Sequence, residues 1–212
     1  ANIITIEDPI EVTHKDKRSI VSQREVGVDT ESFEAGMRSV LRQDPNVIYV
    51  GEIRNQETLE AALVAAETGH LVISTMYTID AVETIHRILD PFPPYLERRV
   101  RQMLGTSLRG IISQRLMPRM EGQGRVPAVE LLVGTEAIRE RIIDPAKMSS
   151  LYETIAEGAF YGMQTFDQAI TVRYEAGEVS FSDALMHVTS PRDFKIATGV
   201  MTAPPPAPVP SG

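Results

Sequence analysis

A chain of 212 residues, 42% hydrophobic and 24% charged, has the composition of an ordinary folded protein, long enough for one full core or a core with a smaller companion. Its 21 basic and 29 acidic residues leave a net charge of −8, which argues against bulk attraction to nucleic acid or anionic lipid. The absence of cysteine excludes disulfides, thiolate metal sites and cysteine nucleophiles together, and no apolar run is long enough to span a bilayer, so the expectation is a soluble, cytoplasmic protein.

The first element is a β-branched run, Ile3-Ile4-Thr5-Ile6, that reads as a buried strand. It delivers Glu7 and Asp8, and Pro9 biases Asp8 away from helix. Adjacent carboxylates at a strand end suit general-base work or contact with a divalent cation, with an acidic turn as the plain alternative. Residues 12–29 hold two short alternating runs, 19–23 and 26–28, beside Lys15, Lys17, Arg18 and Arg24. These read as a hairpin or edge strands with a basic rim. Asp29-Thr30 ahead of Phe33, Met37, Val40 and Leu41 predicts a capped amphipathic helix carrying Arg38 and Arg42.

The stretch NVIYVGEIR, residues 46–54, is the one around which the chain is organised. Val47, Ile48, Tyr49 and Val50 run without alternation, as a central parallel strand buried on both faces would. The run stops at Gly51 and delivers Glu52 and Arg54. Ligands of open α/β sheets sit outside the carboxyl ends of the strands, so charges placed there are placed for work; a solvated ion pair is the plain alternative. Asn55 caps a predicted helix over 56–68 with Leu59, Ala62, Leu63 and Ala66 on one face, and Gly69 stops it. His70 opens a third buried strand over 71–73, which closes in Ser74, Thr75, Met76, Tyr77 and Thr78. Three strands joined by helical crossovers, each ending in polar groups, describe a nucleotide-type α/β sheet.

Next come a helix over 80–88, a rigid break at Asp90-Pro91-Phe92-Pro93-Pro94, and a long predicted helix over 95–116. Val100, Met103, Leu104, Leu108, Ile111 and Ile112 form its apolar side, and Arg98, Arg99, Arg101 and Arg109 its basic face. A turn at 121–124 leads to a strand over 126–133 that holds Glu130. Short helices over 135–143, 149–157, 165–176, 183–188 and 192–198 predict a small all-helical domain. The expected division is therefore 1–134, 135–198 and a proline-rich extended tail over 199–212.

Four stretches carry a family resemblance: ITIEDPIE (4–11), QREVG (23–27), LRQDPNVIYVGEIRNQET (41–58) and AAETGHLVISTMYT (65–78). They resemble the Asp box, Walker B segment and His box of the type II/type IV secretion ATPase superfamily, in that order. The resemblance extends to about residue 198 and implies a RecA-like P-loop NTPase core followed by a small helical C-terminal domain. Residues 117–125 are short and cysteine-free where extension and secretion ATPases usually carry a four-cysteine zinc loop. AIRERIID (137–144) is similar to the AIRNLIRE motif of retraction motors, with Glu140 and Arg141 in place of Asn-Leu, and GMQTFDQAI (162–170) resembles the element after it. Both features point to the pilus retraction branch.

The resemblance implies roles for single residues. Glu7 matches the family's candidate for polarising the attacking water, and Glu52 the Walker B glutamate near Mg²⁺ and the γ-phosphate. His70 matches the Thr-Gly-His of the His box, and Tyr77 stands where a second histidine is usual. Asp8, Arg24, Arg54, Thr75 and Tyr77 are the implied nucleotide-side contacts, with Arg38 and Arg42 as further candidates for charge stabilisation. The pattern G-x-x-x-x-G-K-[ST] occurs nowhere in the 212 residues. The family places that loop shortly before the Asp box, so the chain is expected to be the C-terminal part of a longer motor and inactive alone. The implied whole is a Mg²⁺- and ATP-dependent homo-hexamer that powers pilus retraction and twitching motility. It would sit at the inner face of the cytoplasmic membrane, held there by an inner-membrane pilus platform protein, with no nucleic acid as partner. Two alternatives stand beside it: a non-catalytic RecA-like subunit assembled with an active motor, and a pilus-assembly or type II secretion ATPase.

Overall fold

The computed structural model describes residues 1–200; the remainder of the expected proline-rich tail lies outside the described residues. Four strands, β1 (Asn2–Glu7), β2 (Ile20–Glu25), β3 (Val47–Val50) and β4 (Leu71–Ser74), form a parallel sheet in the order β2-β1-β3-β4. The alternation of side chains sends Ile4, Ile6, Ile48 and Val50 to one face, where Phe33, Met37 and Val40 of α1 (Phe33–Val40) and Ala62 and Ala65 of α2 (Gln56–Glu67) close the core. Parallel pairing then places the carboxyl ends of all four strands along one edge.

The sheet departs from its sequence pattern in several places. β3 is buried on one face only: Ile48 and Val50 are sealed, while Val47 and Tyr49 are half-buried. β4 is an edge strand, and its Leu71 and Ile73, 45% and 47% exposed, stand on the same open face of the sheet as Val47 and Tyr49. Residues 12–29 make no hairpin. β2 runs parallel to β1, and the link between them is an extended loop rather than a helix. The cap of α1 is Ser32, whose Oγ accepts from Ala35 N at 3.2 Å; Asp29 instead accepts from Glu25 N at 2.9 Å and closes the preceding turn. Asn55 caps α2 as expected, accepting from Thr58 N at 2.9 Å.

The predicted helix over 95–116 is two elements. α4 (Pro94–Ser107) ends at Leu108, and β5 (Gly110–Pro118) turns back into β6 (Arg125–Val133). Ile111, Ser113 and Met117 face inward while Ile112, Gln114 and Leu116 face out, a period of two that overrides the helical reading of the same apolar residues. Arg101 leaves the expected basic face as well. It is buried, bonded to Glu97 Oε1 at 2.8 Å and to the carbonyl of Ile142 at 3.0 Å, and so ties α4 to the end of α5 (Glu136–Ile143). α3 (Ala81–Leu89) is capped by Asp80.

The chain forms two compact units that do not follow the 134/135 boundary. The first is Ala1–Gly110 with Gly134–Leu151; the second is Ile111–Val133 with the chain from Tyr152 on. The sorting has a packing cause. α5 lies on α4, whereas Met117, Val126 and Ala128 of the hairpin share a core with Phe166, Ile170, Val179 and Phe194. The second unit is thus a hairpin with helices on it rather than helices alone. They include α7 (Phe166–Glu175), α8 (Phe181–His187) and α9 (Pro191–Ala197), after the short α6 (Leu151–Ala156).

Candidate active site

Adjacent parallel strands end side by side, and their last residues wall a cavity of about 220 Å³. β1 contributes Glu7 and, just beyond it, Asp8 and Glu11; β3 contributes Tyr49 and then Gly51 and Glu52; the segment after β4 contributes Thr75 and Tyr77. The strand ends are bonded to one another. Gly51 N donates to Ile6 O at 2.8 Å, and Thr75 Oγ1 donates to Gly51 O at 2.6 Å. A Cβ on residue 51 would stand 3.3 Å from Ile6 O and 3.4 Å from the Glu7 Cα, so glycine is what lets the two carboxylate-bearing turns approach.

Each carboxylate is held differently. Glu7 Oε1 accepts from Thr5 Oγ1 at 2.6 Å and from Gln23 Nε2 at 2.8 Å, while its Oε2 accepts no hydrogen bond among the described residues. Glu52 is only 8% exposed; its Oε1 pairs with the Arg54 guanidinium, and its Oε2 is buried without a hydrogen bond. The Arg54 side chain stays 63% exposed, and its bond to Glu52 raises its pKa above the ordinary value. Burial, then the charges of Glu7 and Glu11, push the Tyr49 phenol up.

Among the described residues the balance of charge is acidic: Glu7, Asp8, Glu11 and Glu52 line the cavity, and the Arg54 guanidinium pairs with Glu52. Carboxylate oxygens are the ligands a hard divalent cation takes, and the unbonded, buried Oε2 of Glu52 is an acceptor whose desolvation a cation or its water would relieve. Among the described residues no group of three or more acidic or histidine side chains could hold a metal ion by itself, so a fit for Mg²⁺ rests on Glu52 alone, with water and phosphate as the other oxygen ligands. The residues present do not by themselves fit a bare polyphosphate, which needs donors rather than carboxylates.

Of the residues singled out in the sequence, Glu7, Asp8, Glu52, Arg54, Thr75 and Tyr77 come together here. His70 does not. It precedes β4, so the length of that strand, roughly 13 Å, separates it from Thr75. Its Nδ1 lies 2.9 Å from Ala65 O and 3.2 Å from Thr68 Oγ1, closing the end of α2. Arg24 also turns away: its guanidinium donates to Gln43 Oε1 at 2.6 Å and Ser39 Oγ at 3.3 Å, beside α1. Arg38 and Arg42 are exposed on and just after α1. Thr5, Gln23, Glu11 and Tyr49 join the site without having stood out as candidates in the sequence. Period two from Glu7 points to Thr5, but Gln23 reaches the site only through the register that pairs it with Thr5.

Residues 1–153 match the family described as type II/IV secretion system protein. Over 193 residues the chain is 45% identical to the type IV pilus retractation ATPase PilT of Pseudomonas aeruginosa, covering 91% of this chain and 56% of that one. It is also 45% identical over 170 residues to the twitching motility protein of Neisseria gonorrhoeae, covering 80% of this chain and 45% of the relative. Among solved structures, the pilus retraction motor PilT with bound ADP superposes with a TM-score of 0.83 at 47% identity, over 91% of this chain and 54% of that one. The ATPase DotB of Legionella pneumophila gives 0.78 at 29% identity, over 87% and 50%. The chain spans about half the length of the curated relatives it matches. The likeness bears out the expected superfamily and its α/β core with a helical C-terminal region. Matched by the family over residues 1–153 and by such relatives beyond them, the chain belongs to the type II/IV secretion system protein family.

Proposed function

We propose that the protein carrying this chain is a Mg²⁺-dependent ATPase, a homo-hexameric motor that retracts type IV pili and so drives twitching motility. The observation that supports it most is the convergence of Glu7 and Glu52 on one cavity at adjacent strand ends, in a chain 45% identical to a pilus retraction ATPase.

Phosphoryl transfer to water asks little covalent chemistry of the protein and much positioning. Glu7, with Oε1 occupied by Thr5 and Gln23, offers Oε2 to orient a water and take up its proton as it attacks. Glu52 would hold Mg²⁺ through its unbonded Oε2, while Arg54 fixes its other oxygen. The cation, when bound, neutralises charge on the phosphoryl oxygens. The Thr75 hydroxyl bonds the carbonyl of Gly51 and so sets the turn that carries Glu52. Asp8 and Tyr77 line the same cavity. His70 and Arg24 take no part in this reading, since both are engaged away from the cavity. The phosphates need backbone amides and cations beyond the acidic lining described here, the kind a P-loop supplies. No helix among the described residues is long and apolar enough to cross a membrane. Contact with the cytoplasmic membrane falls, in this reading, to a partner, the pilus platform protein.

A second reading, a non-catalytic subunit, rests on Tyr77. It lines the cavity 82% exposed where the resemblance to the His box implies a histidine, and a phenol cannot carry positive charge at neutral pH. One experiment separates the two. Mg²⁺-dependent ATP hydrolysis is measured for residues 1–212, for the chain extended upstream through any phosphate-binding loop, and for Glu52→Gln in the extended chain. The motor reading expects turnover in the extended chain alone, and a fall of about 100-fold or more in Glu52→Gln with the hexamer intact. Turnover unchanged in that variant removes Glu52 from the mechanism; no turnover in either chain favours the non-catalytic subunit.

A further inference from the structure

The loop between β1 and β2 carries Glu11, Lys15, Lys17 and Arg18, and it is tied to the sheet by the Gln23 and Glu25 side chains of β2 and by its own Asp16. Gln23 stands at the centre of this tie. Its Nε2 donates to Glu7 Oε1 at 2.8 Å and to Val12 O at 2.9 Å, and its Oε1 accepts from His14 N at 2.7 Å. Both ends of the amide are therefore engaged, one on a carboxylate of the cavity and both on the loop.

We propose that Gln23 is a positioning residue for hydrolysis: with Thr5 it fixes Oε1 of Glu7 and leaves Oε2 as the only oxygen free to accept from a water. This inference rests on the role proposed above for Glu7. Register carries it, because β2 pairs with β1 so that Gln23 lies beside Thr5, two residues before Glu7 and on the same face. Chemistry carries it further. A neutral amide donates to a carboxylate without adding a charge to an already acidic cavity, and two donors on one oxygen select a single rotamer of a side chain that otherwise has several. Arg24, next in sequence, points to the other face and takes no part.

A purely structural role for Gln23 is separable, because the loop has other ties. Ile10 N donates to Glu25 Oε2 at 3.0 Å and Val21 N to Asp16 Oδ1 at 2.8 Å, neither of which involves Gln23. Losing Gln23 should thus leave the loop anchored and Glu7 loose.

The test uses the upstream-extended, hexameric protein with Gln23→Leu, Thr5→Val and Glu7→Gln. Two quantities are read: kcat and KM for MgATP, and the Kd of a fluorescent ADP analogue. Gln23→Leu should lower kcat about tenfold to a hundredfold, the cost of a reacting group misplaced by about an ångström, with KM and Kd within about twofold of the parent. Thr5→Val, nearly isosteric, should show the same split to a smaller degree. The proposal is overturned if Gln23→Leu keeps parental kcat while Glu7→Gln is inactive, or if kcat and nucleotide affinity fall together in an intact hexamer. Should Gln23→Leu fail to assemble, Thr5→Val decides, and parental kcat there overturns the proposal. Parental kcat in Glu7→Gln instead defeats the role given to Glu7 itself.

Discussion

Glu34 shows how much one side chain can hold. In the first turn of α1 it accepts from Asn55 Nδ2 at 2.5 Å and from Thr58 Oγ1 at 2.8 Å, and so binds α1 to the start of α2. Hydrogen bonds from Ser32, then Asn55 and Thr58, lower its carboxyl from 4.5 to about 2. A folded-state pKa below the unfolded one contributes stability that is fully present above about pH 4.5 and is lost as pH falls toward 2. The shift corresponds to about 3 kcal/mol at most, and partial exposure cuts this to roughly 1–2 kcal/mol. Glu34→Gln should therefore be less stable than the parent at pH 6 and lose less stability on acidification, a convergence that urea denaturation at pH 6 and pH 3 would show. Parallel curves at both pH values would remove Glu34 from the acid response.

At the scale of elements, boundaries are set by close approach as much as by propensity. α4 stops at Ser107, and just beyond it Gly134 N bonds Arg109 O at 2.9 Å. A Cβ on Gly134 would stand 2.0 Å from Leu108 O, a backbone atom with no rotamer to yield. Gly134→Ala should cost about 3 kcal/mol, read as a lower Tm, whereas Asn55→Ala, which removes only the cap of α2, should cost about 1 kcal/mol. Equal effects would mean that the approach at Gly134 relaxes freely.

For the molecule as a whole, two compact units each carry their own core, and the second depends on a few aromatic side chains. Phe166 is fully buried there, with the Arg115 guanidinium 3.9 Å over its ring and Arg115 Nη1 bonded to His187 O at 2.5 Å. Tyr174, Phe181 and Phe194 pack edge-on or stacked with ring centres 5.6–5.7 Å apart. Phe166→Ala should cost about 3–5 kcal/mol and loosen the packing of these rings, visible as a loss of near-UV circular dichroism. An unchanged near-UV signal would show that the ring cluster stands without Phe166.

Sequence by itself determined the features that depend on neighbours along the chain. It placed Glu7 and Glu52 at strand ends and Asn55 at the head of α2, and it carries the motifs of the family to which the chain belongs. Period and capping are local, so a window of a few residues contains them. Tertiary structure decided which residues meet. His70 and Tyr77 belong to one stretch of sequence, but β4 lies between them and only Tyr77 reaches the cavity. Gln23 and Glu7 are 16 positions apart and touch because β2 pairs with β1 in one register out of those a short strand permits. Residues 108–116 fit a helical stripe, yet from Gly110 on the chain pairs with β6 and its side chains alternate between buried and exposed. Strand order and register are set by the burial of a whole face at once, and no local window holds that information.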